Sequence, residues 1–147
     1  MIYTKLTRLA MRIAYDAHKD QVDLSGVPYV FHPFHIAEQM EDERTTVIAL
    51  LHDVVEDSKY TFEDLEIFGF GDDMLKPLRL LTRIPGEPYE KYIKRLCSDP
   101  AAVKVKLADL EHNLDDSRCE NQDEHILRLR ERYEKAREYI KNASEQH

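Results

Sequence analysis

The chain has 147 residues, of which 42% are hydrophobic and 34% are charged, and its formal net charge is −8. This length suits one domain with a substantial core, and the apolar content excludes a disordered acidic chain. The negative charge argues against non-specific nucleic-acid binding, and it means that a site for a phosphorylated ligand must be made positive locally, by a metal or by a few lysines and arginines.

The cysteines and the apolar segments indicate the cellular compartment in which the protein is expected. Cys97 and Cys119 have neither metal-binding nor redox spacing, so they predict two free thiols in a reducing environment. The N-terminus lacks a signal-like apolar run, and no apolar stretch is long enough to span a bilayer. The sequence therefore predicts a cytoplasmic protein without a membrane partner.

Long stretches of helical periodicity, with only four glycines and six prolines, predict an all-α fold. In chain order, the predicted helices cover residues 6–18, 33–40, 45–53, 62–67, 72–82, 89–96, 100–113 and 123–143. The helix over 45–53 is apolar nearly all round, which is typical of a central, buried helix.

Stretch 50–58 leads out of that central helix and is rich in ionisable side chains. We expect residues 52–57 to lie on one short helix, so that His52 and Glu56 share one face, and Asp53 and Asp57 share another about 100° away. Buried carboxylates need a partner, and a divalent cation beside a His-Asp pair would be one. A solvated polar face at a helix end is the alternative, and this stretch alone leaves both open.

Two further segments carry possible metal ligands. A proline in the first turn of helix 33–40 places His32 at the helix mouth, as a cap or a ligand, with His35 as its rival. In helix 100–113, Asp109 shares one face with His112 and Asn113.

Three separate segments thus offer two imidazoles and two carboxylates, from His32, His52, Asp53 and Asp109. This donor set suits a borderline or hard divalent ion such as manganese, iron, zinc, cobalt or nickel, with positions left for water and substrate. Spacing alone does not decide the matter, because seven histidines in a helical protein also produce chance clusters.

The order of these residues along the chain resembles the pattern of the HD-domain metal phosphohydrolases, which is a histidine, then a His-Asp pair, then a distant aspartate. More narrowly, the flanking motifs resemble the hydrolase domain of RelA/SpoT-type proteins. These motifs are Ala17-His18, Gln21, Ser25-Gly26, Pro28-Tyr29, His32-Pro33, residues 49–58, Thr61, residues 63–65, Phe68-Gly69, residues 81–83, residues 106–109 and His112-Asn113. The resemblance implies one HD-type helical bundle over residues 1–147 with a central buried metal site, similar to the small single-domain (p)ppGpp hydrolases.

The resemblance also implies roles for individual residues. One divalent ion, usually manganese, would be held by His32, His52, Asp53 and Asp109. Glu56 and Asp57 would flank a metal-bound water, with Glu56 orienting it or moving its proton. The implied reaction removes the 3′-pyrophosphate from (p)ppGpp, the nucleotide of the stringent response. The substrate-binding candidates are Ser25, Lys106, Asn113 and Tyr133; Asn113 would contact the sugar, and an ordinary core tyrosine is the alternative for Tyr133.

The substrate side departs from the family pattern. Asp23 and Leu24 stand where the family has a basic pair, and Leu110 replaces an arginine. Cations that could replace the lost charge are Lys19, Arg44, Lys106 and Arg118. These departures leave two alternatives open: the same chemistry on another nucleotide or phosphate monoester, and a non-catalytic nucleotide sensor. The sequence leaves the oligomeric state open.

Overall fold

The computed structural model describes residues 1–119 and 122–145, which contain nine α-helices and no extended strand. The helices are α1 (Lys5–His18), α2 (Phe31–Glu38), α3 (Glu43–Leu51), α4 (Val54–Asp57), α5 (Phe62–Ile67), α6 (Asp72–Leu80), α7 (Tyr89–Leu96), α8 (Pro100–Asn113) and α9 (Glu124–Glu145). A 3-10 turn covers Asp116–Arg118 between α8 and α9. The predicted all-α fold is confirmed.

Helix α3 lies at the centre of the bundle, as its apolar sequence predicts. Every side chain from Thr45 to Leu51 is buried. The helix packs against α1, α2, α6 and α8. Burial on all sides fixes the position of its C-terminal end, where His52 follows directly.

The N-termini of α3 and α8 are capped by aspartates. Asp42 accepts hydrogen bonds from the Thr45 N–H and hydroxyl at 2.7 Å. Asp99 accepts the N–H groups of Ala101 and Ala102 at 2.9 and 3.1 Å, just before the predicted start of α8. Such caps satisfy backbone donors that the helix itself leaves unpaired. Both caps are at N-termini, whereas the candidate site residues of α3 and α8 lie at or near the C-terminal ends of these helices.

The prediction that one helix carries residues 52–57 is wrong. Helix α3 ends at Leu51, and α4 begins again at Val54 after a turn. At the turn Asp53 has φ −108° and ψ 0°. A continuous helix would point His52 and Asp53 about 100° apart. The break instead brings His52 Nε2 to 3.1 Å from Asp53 Oδ2, so both side chains reach one cluster.

The remaining boundaries agree with the predictions to within about two residues. For example, α2 ends at Glu38 rather than at residue 40, and α6 ends at Leu80 rather than at residue 82. Within the described ranges, none of the helices combines the length and the apolar character needed to cross a bilayer. The cytoplasmic location stays a prediction.

Candidate metal centre

Three parts of the fold bring the predicted metal ligands together. His32 comes from the first turn of α2, His52 and Asp53 from the break between α3 and α4, and Asp109 from the last turns of α8. His32 Nε2 lies 2.7 Å from Asp109 Oδ1, and His52 Nε2 lies 3.7 Å from the same oxygen. Ligand atoms of His32, His52 and Asp109 all lie within 4.8 Å of one another. This buried group could bind a metal.

The hydrogen bonds of His52 indicate what its ring offers to the cluster. Its Nδ1 lies 2.6 Å from the carbonyl oxygen of Ala49, so Nδ1 carries the proton and donates it. Its Nε2 is buried and makes no hydrogen bond to any residue in the described part of the chain. A lone pair on Nε2 beside the carboxylates of Asp53 and Asp109 is unfavourable unless a cation or a proton lies between them. The donor set therefore fits a divalent ion.

The charges of the cluster lower the pKa of its carboxyl group and raise the pKa of its imidazole, so each shift favours the charged form. Burial alone would raise the pKa of Asp109, but the Lys106 ammonium and the hydrogen bond from His32 hold that pKa well below its usual range. Burial alone would lower the pKa of His52, but the charge of Asp53 and the nearby carboxylate of Asp109 raise it well above 6.5. The carboxylates thus favour positive charge at this position, which a bound divalent ion would supply.

His112 supports the cluster from behind His32. The two Nδ1 atoms lie 2.7 Å apart, and the planes of the two rings are parallel to within 6°. Burial and the charges of Arg118 and His32 lower the pKa of His112 to about 3, so its ring is neutral and can accept the Nδ1 proton of His32. This contact leaves Nε2 of His32 to face Asp109.

Lys106, a predicted substrate-binding residue, contacts a predicted metal ligand. Its Nζ donates to Asp109 Oδ2 at 2.8 Å and lies 5.3 Å from the centre of the Tyr92 ring, in a buried position. Asn113 Nδ2 donates to the other oxygen, Oδ1, at 3.2 Å. The two side chains together fix the orientation of the Asp109 carboxylate.

Tyr29 belongs to the site although the sequence analysis did not place it among the site residues. Its hydroxyl donates to Asp53 Oδ2, and its ring makes an edge contact with His18 at 5.0 Å between centroids. Burial and the charge of Asp53 raise the pKa of Tyr29, so the hydroxyl remains a donor. The signal was present in the Pro28-Tyr29 motif, but the sequence does not reveal which carboxylate the hydroxyl reaches.

Glu56 and Asp57 form a second, more open group with Asp53, with one carboxylate oxygen of each within 4.8 Å of the others. Glu56 Oε1 accepts the backbone N–H of Arg83 at 3.0 Å. Partial loss of hydration and the charges of Asp53 and Glu56 raise the pKa of Asp57 to about 6. Loss of hydration also raises the pKa of Glu56. These shifts make both carboxylates better proton acceptors than fully hydrated ones.

A cavity of about 380 Å³ lies beside the cluster and shares Tyr29 and Asn113 with it. Ser25 and Tyr133, two more of the predicted substrate-binding residues, also line this cavity, whereas Lys106 does not. Of the four cations that could replace the lost positive charge, only Arg118 is among the lining residues.

The other two candidate cations have different partners. Lys19 pairs with Asp16 at 3.3 Å on α1, and Arg44 donates from Nε to the Asp73 carbonyl at 2.8 Å. Both side chains therefore contact the outer part of the bundle rather than the cavity.

Comparison with known proteins identifies relatives of this arrangement. No family model matches the chain. It is 36% identical over 124 residues to the bifunctional (p)ppGpp synthase/hydrolase SpoT of Escherichia coli K12, an alignment that covers 75% of this chain and 18% of SpoT. It is 39% identical over 116 residues to a guanosine-3′,5′-bis(diphosphate) 3′-pyrophosphohydrolase of Haemophilus influenzae, covering 69% of this chain and 17% of that protein. The chain thus spans less than a fifth of these curated relatives.

A solved structure agrees with the fold. It is described as a metazoan ortholog of SpoT that hydrolyzes ppGpp and plays a role in starvation responses. The TM-score is 0.77 at 24% sequence identity, and the match covers 97% of this chain and 87% of that one. The predicted HD-type helical bundle is confirmed by this similarity. The chain is homologous to one segment of the SpoT/RelA-type (p)ppGpp hydrolases.

Proposed function

We propose that this chain is a metal-dependent phosphohydrolase that releases pyrophosphate from the 3′ position of (p)ppGpp. The observation that carries the proposal is the buried group of His32, His52 and Asp109, with Asp53 Oδ2 3.1 Å from His52 Nε2. Glu56 and Asp57 lie on one side of Asp53, and the cavity adjoins the cluster through Tyr29 and Asn113. The homologues named for this reaction support the choice of substrate.

The cofactor in this proposal is one divalent ion, and we expect manganese. Its ligands would be His32, His52, Asp53 and Asp109, a nitrogen and oxygen donor set that manganese shares with iron, zinc, cobalt and nickel. When bound, such an ion lowers the pKa of a coordinated water and neutralises charge on the attacked phosphate.

The residues of this chain would position the reactants and move the proton. The Arg83 N–H holds Glu56 through Oε1, which leaves Oε2 to take a proton from the attacking water. Asp57 flanks the same position. The water oxygen joins the nearer phosphorus of the 3′-diphosphate, the bond from that phosphorus to O3′ breaks, and O3′ takes up a proton. ppGpp then gives GDP and pyrophosphate, and pppGpp gives GTP and pyrophosphate.

The cavity would hold the nucleoside part of the substrate. Asn113, which contacts both Asp109 and the cavity, would bind the sugar, and Ser25 and Tyr133 would line the remaining space. Lys106 acts in this scheme through Asp109 rather than by touching the substrate, because its ammonium is buried against that carboxylate.

The direct test is release of pyrophosphate from ppGpp by the purified protein with added manganese, and with a chelator as the control. Chelator-sensitive release of pyrophosphate and GDP in equal amounts is expected. Protein that carries bound metal and releases no pyrophosphate would contradict the proposal.

The same chemistry on another nucleotide or phosphate monoester is the second candidate, and Asp23, Leu24 and Leu110 favour it because they remove positive charge from the substrate side. A panel of nucleotides, assayed separately for phosphate and for pyrophosphate, distinguishes the two reactions. Tight nucleotide binding without turnover of any member would instead indicate a non-catalytic sensor.

A further inference from the structure

Two arginines, Arg118 and Arg130, line the cavity beside the metal cluster. Both terminal nitrogens of Arg130 have partners within the protein. Its Nη1 donates to the Leu114 carbonyl at 3.1 Å and pairs with Asp116, and its Nη2 lies 3.4 Å from Glu134. Arg118 is therefore the arginine with donors to offer a ligand.

Arg118 is held in place without using all of its donors. Its Nη1 donates to the His112 carbonyl at 2.7 Å, and its own carbonyl accepts the Ser25 hydroxyl at 2.9 Å. Its Nε and Nη2, which form one edge of the guanidinium, make no hydrogen bond with any residue of the described ranges. Nη2 lies 3.7 Å from Asp23 Oδ2, beyond hydrogen-bond distance, and a quarter of the Arg118 side chain is exposed.

Asp23 is fixed in a similar way and also presents one free atom. Its Oδ1 accepts the N–H groups of Ser25 and Val27 at 2.8 and 3.0 Å, which closes a tight loop around Gly26 at φ +80°. Its Oδ2 forms the ion pair with Arg118 Nη2 at 3.7 Å. The aspartate at this position is therefore a loop-forming residue whose second oxygen remains an acceptor.

Arg118 and Asp23 both line the cavity and pair through Nη2 and Oδ2, so Nε, Nη2 and Oδ2 offer a ligand two donors followed by an acceptor. Guanine presents the complementary row of N7 acceptor, O6 acceptor and N1–H donor, whereas adenine presents an N7 acceptor, an N6 donor and an N1 acceptor. Adenine therefore mismatches the row at two of three positions. Leu24, Leu129 and Tyr133 supply apolar and aromatic surface for the faces of a base in the same cavity.

We propose that Arg118 and Asp23 recognise the base of the bound nucleotide and select guanine over adenine. This assignment rests on the proposed function, because it takes the cavity to be the nucleoside site of the hydrolase. It makes the two residues determinants of specificity that do not touch the reacting phosphorus.

Calorimetric titration with GDP, IDP, ADP and 7-deaza-GDP tests the assignment without turnover. Because inosine keeps N7, O6 and N1–H, GDP and IDP should bind alike, and ADP should bind about tenfold or more weakly. Loss of N7 should weaken 7-deaza-GDP relative to GDP. Equal binding of GDP and ADP, or no binding of GDP to the wild-type protein, would overturn the assignment.

Variants identify the residues responsible. Arg118→Lys keeps the charge but loses the planar edge, so GDP should lose its advantage over ADP; an unchanged GDP-to-ADP ratio would overturn the role of Arg118. Asp23→Asn keeps Oδ1 for the loop and converts the acceptor at Oδ2 into a donor, which should also reduce the ratio. Arg128→Ala is the matched control, since Arg128 pairs with Glu124 at 3.1 Å on α9 and does not line the cavity.

Failure of the base-recognition role can be distinguished from failure of the proposed hydrolase function. Guanine selection that depends on Arg118, in a protein that releases no pyrophosphate from ppGpp, supports the base-recognition role and rejects the reaction. Hydrolysis of ppGpp and its adenosine counterpart with equal kcat/KM rejects the base-recognition role alone.

Discussion

At the scale of single residues, substitution of a proposed metal ligand and of the proposed proton acceptor should have different effects on metal binding and turnover. His52→Ala removes a buried nitrogen donor, so the protein should lose both bound metal and turnover. Glu56→Gln keeps the size of the side chain but removes its basicity, so the metal should stay while turnover falls by about a hundredfold or more. Metal content and pyrophosphate release, measured on the same samples, check both expectations.

Glu66→Gln, an exposed substitution on α5, is the control for this pair of variants and should behave like the wild-type protein. A Glu56→Gln protein with full activity would remove Glu56 from the mechanism. A His52→Ala protein that keeps its metal would remove His52 from the ligand set.

Lys106 provides a second prediction at this scale. Lys106→Met leaves the Asp109 carboxylate buried without its cation, and removal of one partner from a buried ion pair costs about 3–5 kcal/mol. Urea unfolding of the metal-free protein should show this loss. Lys104→Met, an exposed change two residues earlier on α8, should unfold like the wild-type protein. Equal stability of the Lys106 and Lys104 variants would contradict the structural role of the pair.

At the scale of elements, the cap of α3 gives a pH-dependent prediction. The hydrogen bonds from the Thr45 N–H and hydroxyl hold the pKa of Asp42 below its usual value of 3.8. Its contribution to stability is therefore present above the unfolded-state pKa and is lost as pH falls through the folded-state pKa. Asp42→Ala should reduce the free energy of unfolding by about 1 kcal/mol at neutral pH.

Asp42→Asn is the matched control, because asparagine also caps helices but does not titrate. Its stability should change less than that of the wild-type protein as pH falls below about 4, as measured by urea unfolding at a series of pH values. An identical acid dependence in the two proteins would show that Asp42 does not contribute to it.

The elements also show what the sequence could and could not predict. Periodicity predicts α7 well, because its buried positions repeat with the helical period, and a continuous apolar run predicts the buried helix α3. It does not predict the break after Leu51, because residues 50–57 are compatible with one continuous helix. The break is associated with tertiary contacts, since His52 Nε2 lies 3.7 Å from Asp109 of α8 and Asp53 accepts the hydroxyl of Tyr29.

The same limit applies to contacts between side chains of the site. Motif resemblance identifies His32, His52, Asp53 and Asp109, which the fold does bring together. It does not reveal that Lys106 points at Asp109 or that Tyr29 reaches Asp53, because those contacts depend on side-chain directions in the packed bundle. Nor does it reveal the contact of His112 with His32, which joins α8 to α2.

At the scale of the whole molecule, metal binding should be coupled to folding. The ligands come from α2, α8 and the break after α3, so the site exists only when these elements are packed together. A ligand that binds only the native state at 100 times its Kd adds about 2.7 kcal/mol to the free energy of unfolding. Manganese should therefore raise the Tm, and a chelator should reverse the increase, whereas the Tm of a His52→Ala protein should not respond.

The central claim is that one divalent ion in the buried cluster supports hydrolysis of (p)ppGpp. The most direct measurement strips the protein of metal, titrates it with manganese, and follows bound metal and pyrophosphate release from ppGpp together. Turnover should rise in proportion to bound manganese and level off at one ion per chain. Unchanged turnover in the stripped protein, or no pyrophosphate from protein that carries one ion per chain, would contradict the account.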